Sequence, residues 1–262
     1  MAGSTIFRTG LLAGRTALVT GGGTGIGLAI ATEMAALGAR VVLAARDRAR
    51  LDAAAAVLSA SGAVARAETA NIRKEAEVGA LFERLAAADW LPDILVNNAG
   101  GQFHADPLAI TPNGFRAVVD LNLNGTWLVT RAFAGPLIER QRGGAIVNIV
   151  LSLFQGLPGS AHAGAARAGV INLTKSLALA WGRHGITINS IAPGTIDTPA
   201  LAGYDAEEMA DDIRRLPIKR MGRPEEIAAA AAFLVSPAGA YITGTTLIVD
   251  GGEHLLGPVR EA

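Results

Sequence analysis

Thr20-Gly21-Gly22-Gly23-Thr24-Gly25-Ile26-Gly27 decides the fold. It follows a β-rich run over 16–20 and opens a segment of helical composition. Gly21 can take the tight turn out of a strand. Gly25 lets backbone approach a pyrophosphate, and Gly27 lets helix and sheet touch. The helix start then offers unpaired N–H groups, and the positive end of its dipole, to phosphate. A glycine pattern alone is a weak signal. Set between strand and helix, it indicates nucleotide binding.

Outward from this loop, short β-rich runs alternate with longer Ala-rich helical stretches. The predicted strands are 16–20, 40–44, 63–66, 94–96, 145–150, 187–191 and 246–249. Most are continuous apolar runs, as parallel strands buried on both faces require. The alternation predicts an α/β fold: a doubly wound parallel Rossmann sheet of about seven strands with helices on both faces. The length suits one domain spanning 1–262. Long helices are expected over 112–140 and 160–183. Two stretches break the rhythm. Residues 101–112 form a loop rich in Gly, Pro and His. Residues 195–222 hold Asp205 and Glu208 at capping-box spacing, then Met209, Ile213 and Leu216 at helical spacing. That apolar stripe either packs on the body or forms a substrate lid at the carboxyl ends of the strands.

Half of the residues are hydrophobic, enough for a large core, and Lys+Arg equals Asp+Glu at 23 each. A chain without basic excess is not expected to bind nucleic acid or an anionic membrane. The absence of cysteine excludes thiolate catalysis and disulfides. His104, His162, His184 and His254 are scattered, so no metal site is expected. There is no apolar run of about 20 residues and no basic-then-apolar leader, so a cytoplasmic protein with no membrane span is expected.

The second strand leads into Ala45-Arg46-Asp47. An acid at the end of this strand would hold the ribose 2′-hydroxyl of NAD. That place falls at Ala45, and the Arg46 guanidinium that follows suits a 2′-phosphate. Asp47 is either the acid or a cap for the next helix. The reading favours NADPH (NADP) over NADH.

Together these motifs resemble the short-chain dehydrogenase/reductase family over nearly the whole chain. Thr20–Gly27 is similar to its Thr-Gly-x-x-x-Gly-x-Gly signature, and Asn97-Asn98-Ala99-Gly100 to its Asn-Asn-Ala-Gly motif. Asn122 matches the asparagine of its fifth-helix motif. Pro193-Gly194-Thr195-Ile196-Asp197-Thr198 matches the loop that holds the nicotinamide amide. Gly222-Arg223-Pro224-Glu225-Glu226 and Val249-Asp250-Gly251-Gly252 match its C-terminal part. The resemblance implies an NAD(P)-dependent oxidoreductase. Its cofactor would lie against Gly21, Thr24, Gly25, Ile26, Gly27 and Arg46, then Asn71, Ile72, Asn98, Ala99 and Gly100. Arg167, Pro193, Gly194, Ile196 and Thr198 would complete the site. It also implies a homotetramer that buries the 112–140 and 160–183 helices between subunits.

The catalytic centre departs from the family. Members carry Tyr-x-x-x-Lys on one helix face, with a serine about 13 residues before the tyrosine. Here Ala163 stands at the tyrosine, Arg167 at the lysine, and Val150 or Leu151 at the serine. The only tyrosines are Tyr204 and Tyr241; Ser152 and Ser160 are nearby but out of register. The altered stretch 158–170 resembles peroxisomal trans-2-enoyl-CoA reductase. So do Gly100-Gly101-Gln102-Phe103 and Ala70-Asn71-Ile72-Arg73. The 2,4-dienoyl-CoA reductases share its His-Ala-Gly-x-Ala portion, and a bacterial-type terpenoid alcohol or aldehyde dehydrogenase subgroup resembles it as well.

The chemistry agrees. A ketone reductase must protonate an alkoxide, which the Tyr–Lys pair does. A 2-enoyl-CoA thioester takes hydride at Cβ and spreads charge to its thioester oxygen, which needs hydrogen-bond donors rather than a strong acid. Enoyl reduction, a step of fatty acid metabolism, is therefore expected, with Arg167, His162 and Asn122 as catalytic residues. Gln102, His104 and Tyr204 are candidate substrate contacts. His162 lies about 100° round the helix from the tyrosine position, so it either donates to the enolate or packs the helix start. Two alternatives stand: an alcohol or carbonyl dehydrogenase with an unusual acid, and an NADP-binding protein that has lost catalysis.

Overall fold

Along β1 (Thr16–Thr20) successive side chains point to opposite faces, and helices cover both. Ala17 and Val19 enter one core with Ile30 and Met34 of α1 (Gly25–Ala36). Leu18 enters another, with Leu81 of α3 (Glu75–Ala87) and Phe133 of α5 (Gly125–Glu139). The same alternation runs through β2 (Arg40–Ala45): Val41 and Leu43 on one side, Val42 and Ala44 on the other. This double burial is why the strands read as continuous apolar runs.

A computed structural model describes residue 4 and residues 6–152, 156–203 and 206–256. The remaining strands are β3 (Ala65–Thr69), β4 (Ile94–Asn97), β5 (Gly144–Ile149), β6 (Ile186–Pro193) and β7 (Thr246–Val249). All seven are parallel, in the order β3-β2-β1-β4-β5-β6-β7. Strand order reverses between β1 and β4. Two outward-running halves part there, leaving a crevice at the strands' carboxyl ends.

The third strand begins two residues later than predicted. Gly62, at φ +84°, turns the chain out of α2 (Arg48–Ala60), and Ala63 N–H is spent on Leu58 O. Strand pairing starts only at Val41↔Ala65. The predicted 112–140 helix is three pieces: α4 (Pro112–Val119), a π-helical turn over Asp120–Asn124, and α5. The predicted 160–183 helix is α6 (Ala161–Trp181) running into a short 3₁₀ turn.

Beneath the crevice runs a buried polar chain. Asn97 Nδ2 donates to Thr130 Oγ1 and Asn148 Oδ1, at 2.7 and 2.8 Å. Asn148 Nδ2 donates to Thr174 Oγ1 at 2.9 Å, and Thr174 shares a hydrogen bond with Ser190. These hydrogen bonds make polar groups this deep tolerable, although Asn97 Oδ1 has no partner among the described residues, and the chain fixes α5 and α6 against β4–β6.

The 195–222 stretch holds α7 (Ala206–Arg215) and a parallel bridge between Ile196 and Gly222. Leu216 of its apolar stripe is buried, and Met209 and Ile213 are half-buried. The expected cap Asp205 lies outside the described residues. The last helix, α8 (Pro224–Val235), packs on α1. No helix among the described residues is long and apolar enough to cross a membrane.

Candidate active site

A cleft of about 350 Å³ opens at the switch point, lined by the glycine loop, the ends of β2, β3 and β4, and the segment after β6. Thr20 joins these walls. Its Oγ1 accepts from the N–H groups of both Asn98 and Ala99 at 3.1 Å. Asn98 Nδ2 returns hydrogen bonds to Thr20 O and Gly21 O. Gly21 adopts φ +66°, a left-handed conformation that glycine takes without strain. At Gly27 a Cβ would run into the Gly21 carbonyl and stand 2.5 Å from Asn98 Nδ2. The loop is thus a cradle of bare backbone at the start of α1, which suits a pyrophosphate.

The other cofactor candidates fall into two groups. Thr24, Gly25, Ile26, Arg46, Asn71, Ile72, Asn98, Ala99, Gly100 and Thr198 line the cleft with Gly21. Gly27, Arg167, Pro193, Gly194 and Ile196 are not among the residues that line it, and Ile196 faces a separate cavity with Gly222 and Asp250. Asn71 caps the turn after β3, its Oδ1 accepting Arg73 N–H at 3.1 Å. Its own N–H donates to Glu77, which holds that carboxyl below its usual range. Asp47 caps α2, accepting Arg50 N–H at 3.1 Å and pairing with the Arg50 side chain.

Arg46 and Arg50 both line a basic recess continuous with the glycine loop. Arg50 is missed by sequence reasoning, because Arg46 lies before the Asp47 cap and helical spacing does not relate the two; the fold of the helix start brings them to one recess. Thr20 was read as part of a motif only; its clamp role depends on which strand lies beside β1.

At the centre, Ala163 is 0% exposed on α6. Arg167 is 7% exposed, its guanidinium beneath Gly100, where it leaves no room for a Cβ. Arg167 Nη1 donates to Ile149 O at 2.7 Å, while Nε has no hydrogen-bond partner among the described residues. No carboxylate pairs with it there, and burial pulls its pKa down to about 10. It remains a cation at neutral pH. Asn122, on the π turn, holds both sides of Gly101: Oδ1 accepts the Gly101 N–H and Nδ2 donates to the Gly101 carbonyl at 2.7 Å.

His162 is 0% exposed. Its Nδ1 accepts the Ala163 N–H at 3.0 Å, so the ring proton is assigned to Nε2, which has no hydrogen-bond partner among the described residues. The Phe103 ring meets it edge-on at 4.3 Å between centroids. Gln102 and His104 are exposed, with the His104 ring set on Gly159. Ala105 N–H donates to Gly159 O at 2.8 Å, joining the 101–112 loop to the start of α6. Ser152 donates its hydroxyl to Asp250 and Ser160 to Phe103 O. Tyr241 is fully exposed, and Tyr204 lies outside the described residues.

A family model described as enoyl-(acyl carrier protein) reductase matches residues 21–254. A Bacillus subtilis (strain 168) protein described as a probable 2,4-dienoyl-CoA reductase is 35% identical, over 92% of this chain and 97% of its own. A Synechocystis 3-oxoacyl-[acyl-carrier-protein] reductase is 40% identical, over the same shares. A solved structure from Agrobacterium tumefaciens, a candidate 2-deoxy-D-gluconate 3-dehydrogenase with bound NADP, superimposes with a TM-score of 0.88. It is 38% identical and covers 95% of this chain and 100% of its own. The chain belongs to the short-chain dehydrogenase/reductase family and is an NAD(P)-dependent oxidoreductase.

Proposed function

We propose that the protein uses NADPH to reduce the 2,3 double bond of a 2-enoyl-CoA thioester. The observation that carries this reading is the buried Ala163 at the tyrosine position, beside an Arg167 cation with no counter-charge among the described residues. Similarity to a dienoyl-CoA reductase supports it. Bound in the cleft, the nicotinamide supplies hydride to Cβ of the substrate.

The chain's own residues then handle charge. The thioester oxygen becomes enolate-like, a preorganised donor in a dry site stabilises it, and a proton taken from water at Cα completes the reduction. The Nε2–H of His162, without a partner among the described residues, is such a donor. Arg167 keeps the site positive from beneath Gly100. Asn122 fixes Gly101 and, with it, the turn carrying Asn98–Gly100. Gln102, His104 and Tyr204 contact the acyl thioester. Arg46 binds the 2′-phosphate, in the recess it shares with Arg50. The enzyme assembles as a homotetramer through α4–α6, where Phe115, Trp127 and Leu179 are exposed; a monomer mass by light scattering at micromolar concentration would contradict the assembly.

A second reading, reduction of a carbonyl, draws on the 40% identity to a 3-oxoacyl reductase. One assay separates the two. NADPH oxidation is followed with crotonyl- and decenoyl-CoA, and separately with aldehydes and ketones. Turnover of the enoyl thioesters is expected. If they are inert while a simple ketone is reduced, the enoyl reading is wrong. Run on Arg46→Ala, the assay should show NADPH use weakened about tenfold or more, because a charge-assisted phosphate contact is worth roughly 1.5–3 kcal/mol. NADH use should barely change, and equal losses for both cofactors would remove Arg46 from the 2′ site.

A further inference from the structure

The segment after β6 forms one wall of the cleft, and the structure shows what holds it. Thr198, Pro199 and Ala200 reach the cleft, with Thr198 packed beside Gly25 of the glycine loop. Before them, Gly194 and Thr195 are gripped by the end of β7 and the turn that follows it. Thr195 N–H donates to Glu253 Oε2 at 3.1 Å, and Gly194 N–H donates to Val249 O at 3.2 Å. A Cβ on Gly194 would collide with the Glu253 carboxylate and stand 2.7 Å from Asp250 Cβ.

Asp250 braces this turn. It accepts the N–H groups of Gly252 and His254 at 2.9 Å, the His254 ring at 3.0 Å and the Ser152 hydroxyl at 3.0 Å. Ser152 N–H in turn donates to Pro193 O at 3.1 Å, so the ends of β5 and β6 are tied to the same turn.

The geometry points to Glu253 as a positioning residue for the nicotinamide half of the cofactor, acting by fixing the Gly194–Thr195 peptide and with it the 198–200 wall. Glu253 is not among the residues that line the cleft, so it works through the peptide. The inference rests on the proposed placement of the cofactor and not on the choice of substrate.

Burial, with Asp250 and Asp212 of α7 adding repulsion, pushes the Glu253 carboxyl up; the Thr195 N–H pulls the other way. Among the described residues, the charged groups acting on it are Asp250 from its own segment and Asp212 from α7, and His254 is paired with Asp250. Because its pKa in the fold is raised, Glu253 takes up a proton at a higher pH than an exposed glutamate does. The ionised carboxylate is the stronger acceptor, so acidification loosens its hold on Thr195.

The test is binding of NADP⁺ and of 2′,5′-ADP, which carries the adenosine half alone, measured by titration calorimetry on the full chain. Glu253→Ala should weaken NADP⁺ about tenfold, the loss of one charge-assisted hydrogen bond. Its affinity for 2′,5′-ADP should stay within about twofold of wild type. Glu253→Gln, which keeps an acceptor of the same shape, should restore most of the NADP⁺ affinity. In the wild type the ratio of NADP⁺ to 2′,5′-ADP affinity should fall as pH drops through the acidic range. In Glu253→Gln that ratio should be flat. Unchanged NADP⁺ affinity in the alanine variant, or equal losses of both ligands, would overturn the inference. Should the alanine variant not fold, a wild-type ratio independent of pH overturns it instead. If the wild type binds neither ligand, the cofactor placement itself has failed.

Discussion

Gly27→Ala is expected to abolish useful NADP⁺ binding, with affinity down by about a hundredfold or more, and to lower Tm by roughly 6–12 °C. The methyl would enter space held by the Gly21 carbonyl and Asn98 Nδ2, both backbone or anchored to backbone. Neither can swing aside as the far end of a flexible side chain can. Overpacking of this kind costs about 3 kcal/mol, and in a chain of this size each kcal/mol moves Tm by about 2–4 °C. The same shift pushes Gly21 and Asn98 apart, opening the phosphate cradle. Gly23→Ala is the matched comparison. Its Cβ would meet nothing nearer than Arg50 Cβ at 3.7 Å, and its φ is not in the left-handed region, so Tm should hold. Differential scanning calorimetry and NADP⁺ titration on both variants decide this; a Gly27→Ala protein within about 2 °C of wild type would show that the loop relaxes freely.

The second large effect separates activity from stability. Arg167 is a buried cation with one backbone carbonyl partner and no carboxylate pairing among the described residues. Burial depresses its pKa from the ordinary guanidinium value to about 10, so below pH 10 the fold carries the full cost of keeping it charged. Above about pH 10, until the guanidinium of the unfolded chain titrates as well, the unfolded chain binds more protons, and this group's contribution to stability rises with pH. At neutral pH the cost is of order 3 kcal/mol. Arg167→Met removes it while filling similar volume, a change that is often neutral or stabilising. We expect Tm unchanged or higher, with kcat/KM lowered about a hundredfold and NADPH weakened alongside, because the cation beneath Gly100 is lost from the proposed site. Calorimetry and steady-state kinetics check both halves. A large drop in Tm would make Arg167 a structural strut; an unchanged kcat/KM would remove it from the chemistry.

Legibility in the sequence differed from place to place for physical reasons. Strand positions were readable because double burial imposes continuous apolar runs. The exception was β3, where Gly62 and Ala63 close α2 by local hydrogen bonding that composition does not reveal. The glycine loop was readable because bare backbone at fixed spacing has few other uses. Asp47 was ambiguous, since one carboxylate can hold a ribose or cap a helix; the hydrogen bond from Arg50 N–H shows the cap.

The sequence by itself determined the order of elements, the family, the cradle and the vacancy at Ala163, because each is written in residues adjacent along the chain or repeated with a fixed period. Only the tertiary structure decided what meets across the fold. It put Arg167 beneath Gly100, the Phe103 ring against His162, Thr20 beside Asn98, and Glu253 on Thr195, a partner 58 residues away. Those contacts depend on which strands are neighbours and on where a buried side chain finds room. No local spacing encodes that, because the seven-stranded sheet must assemble before either is defined.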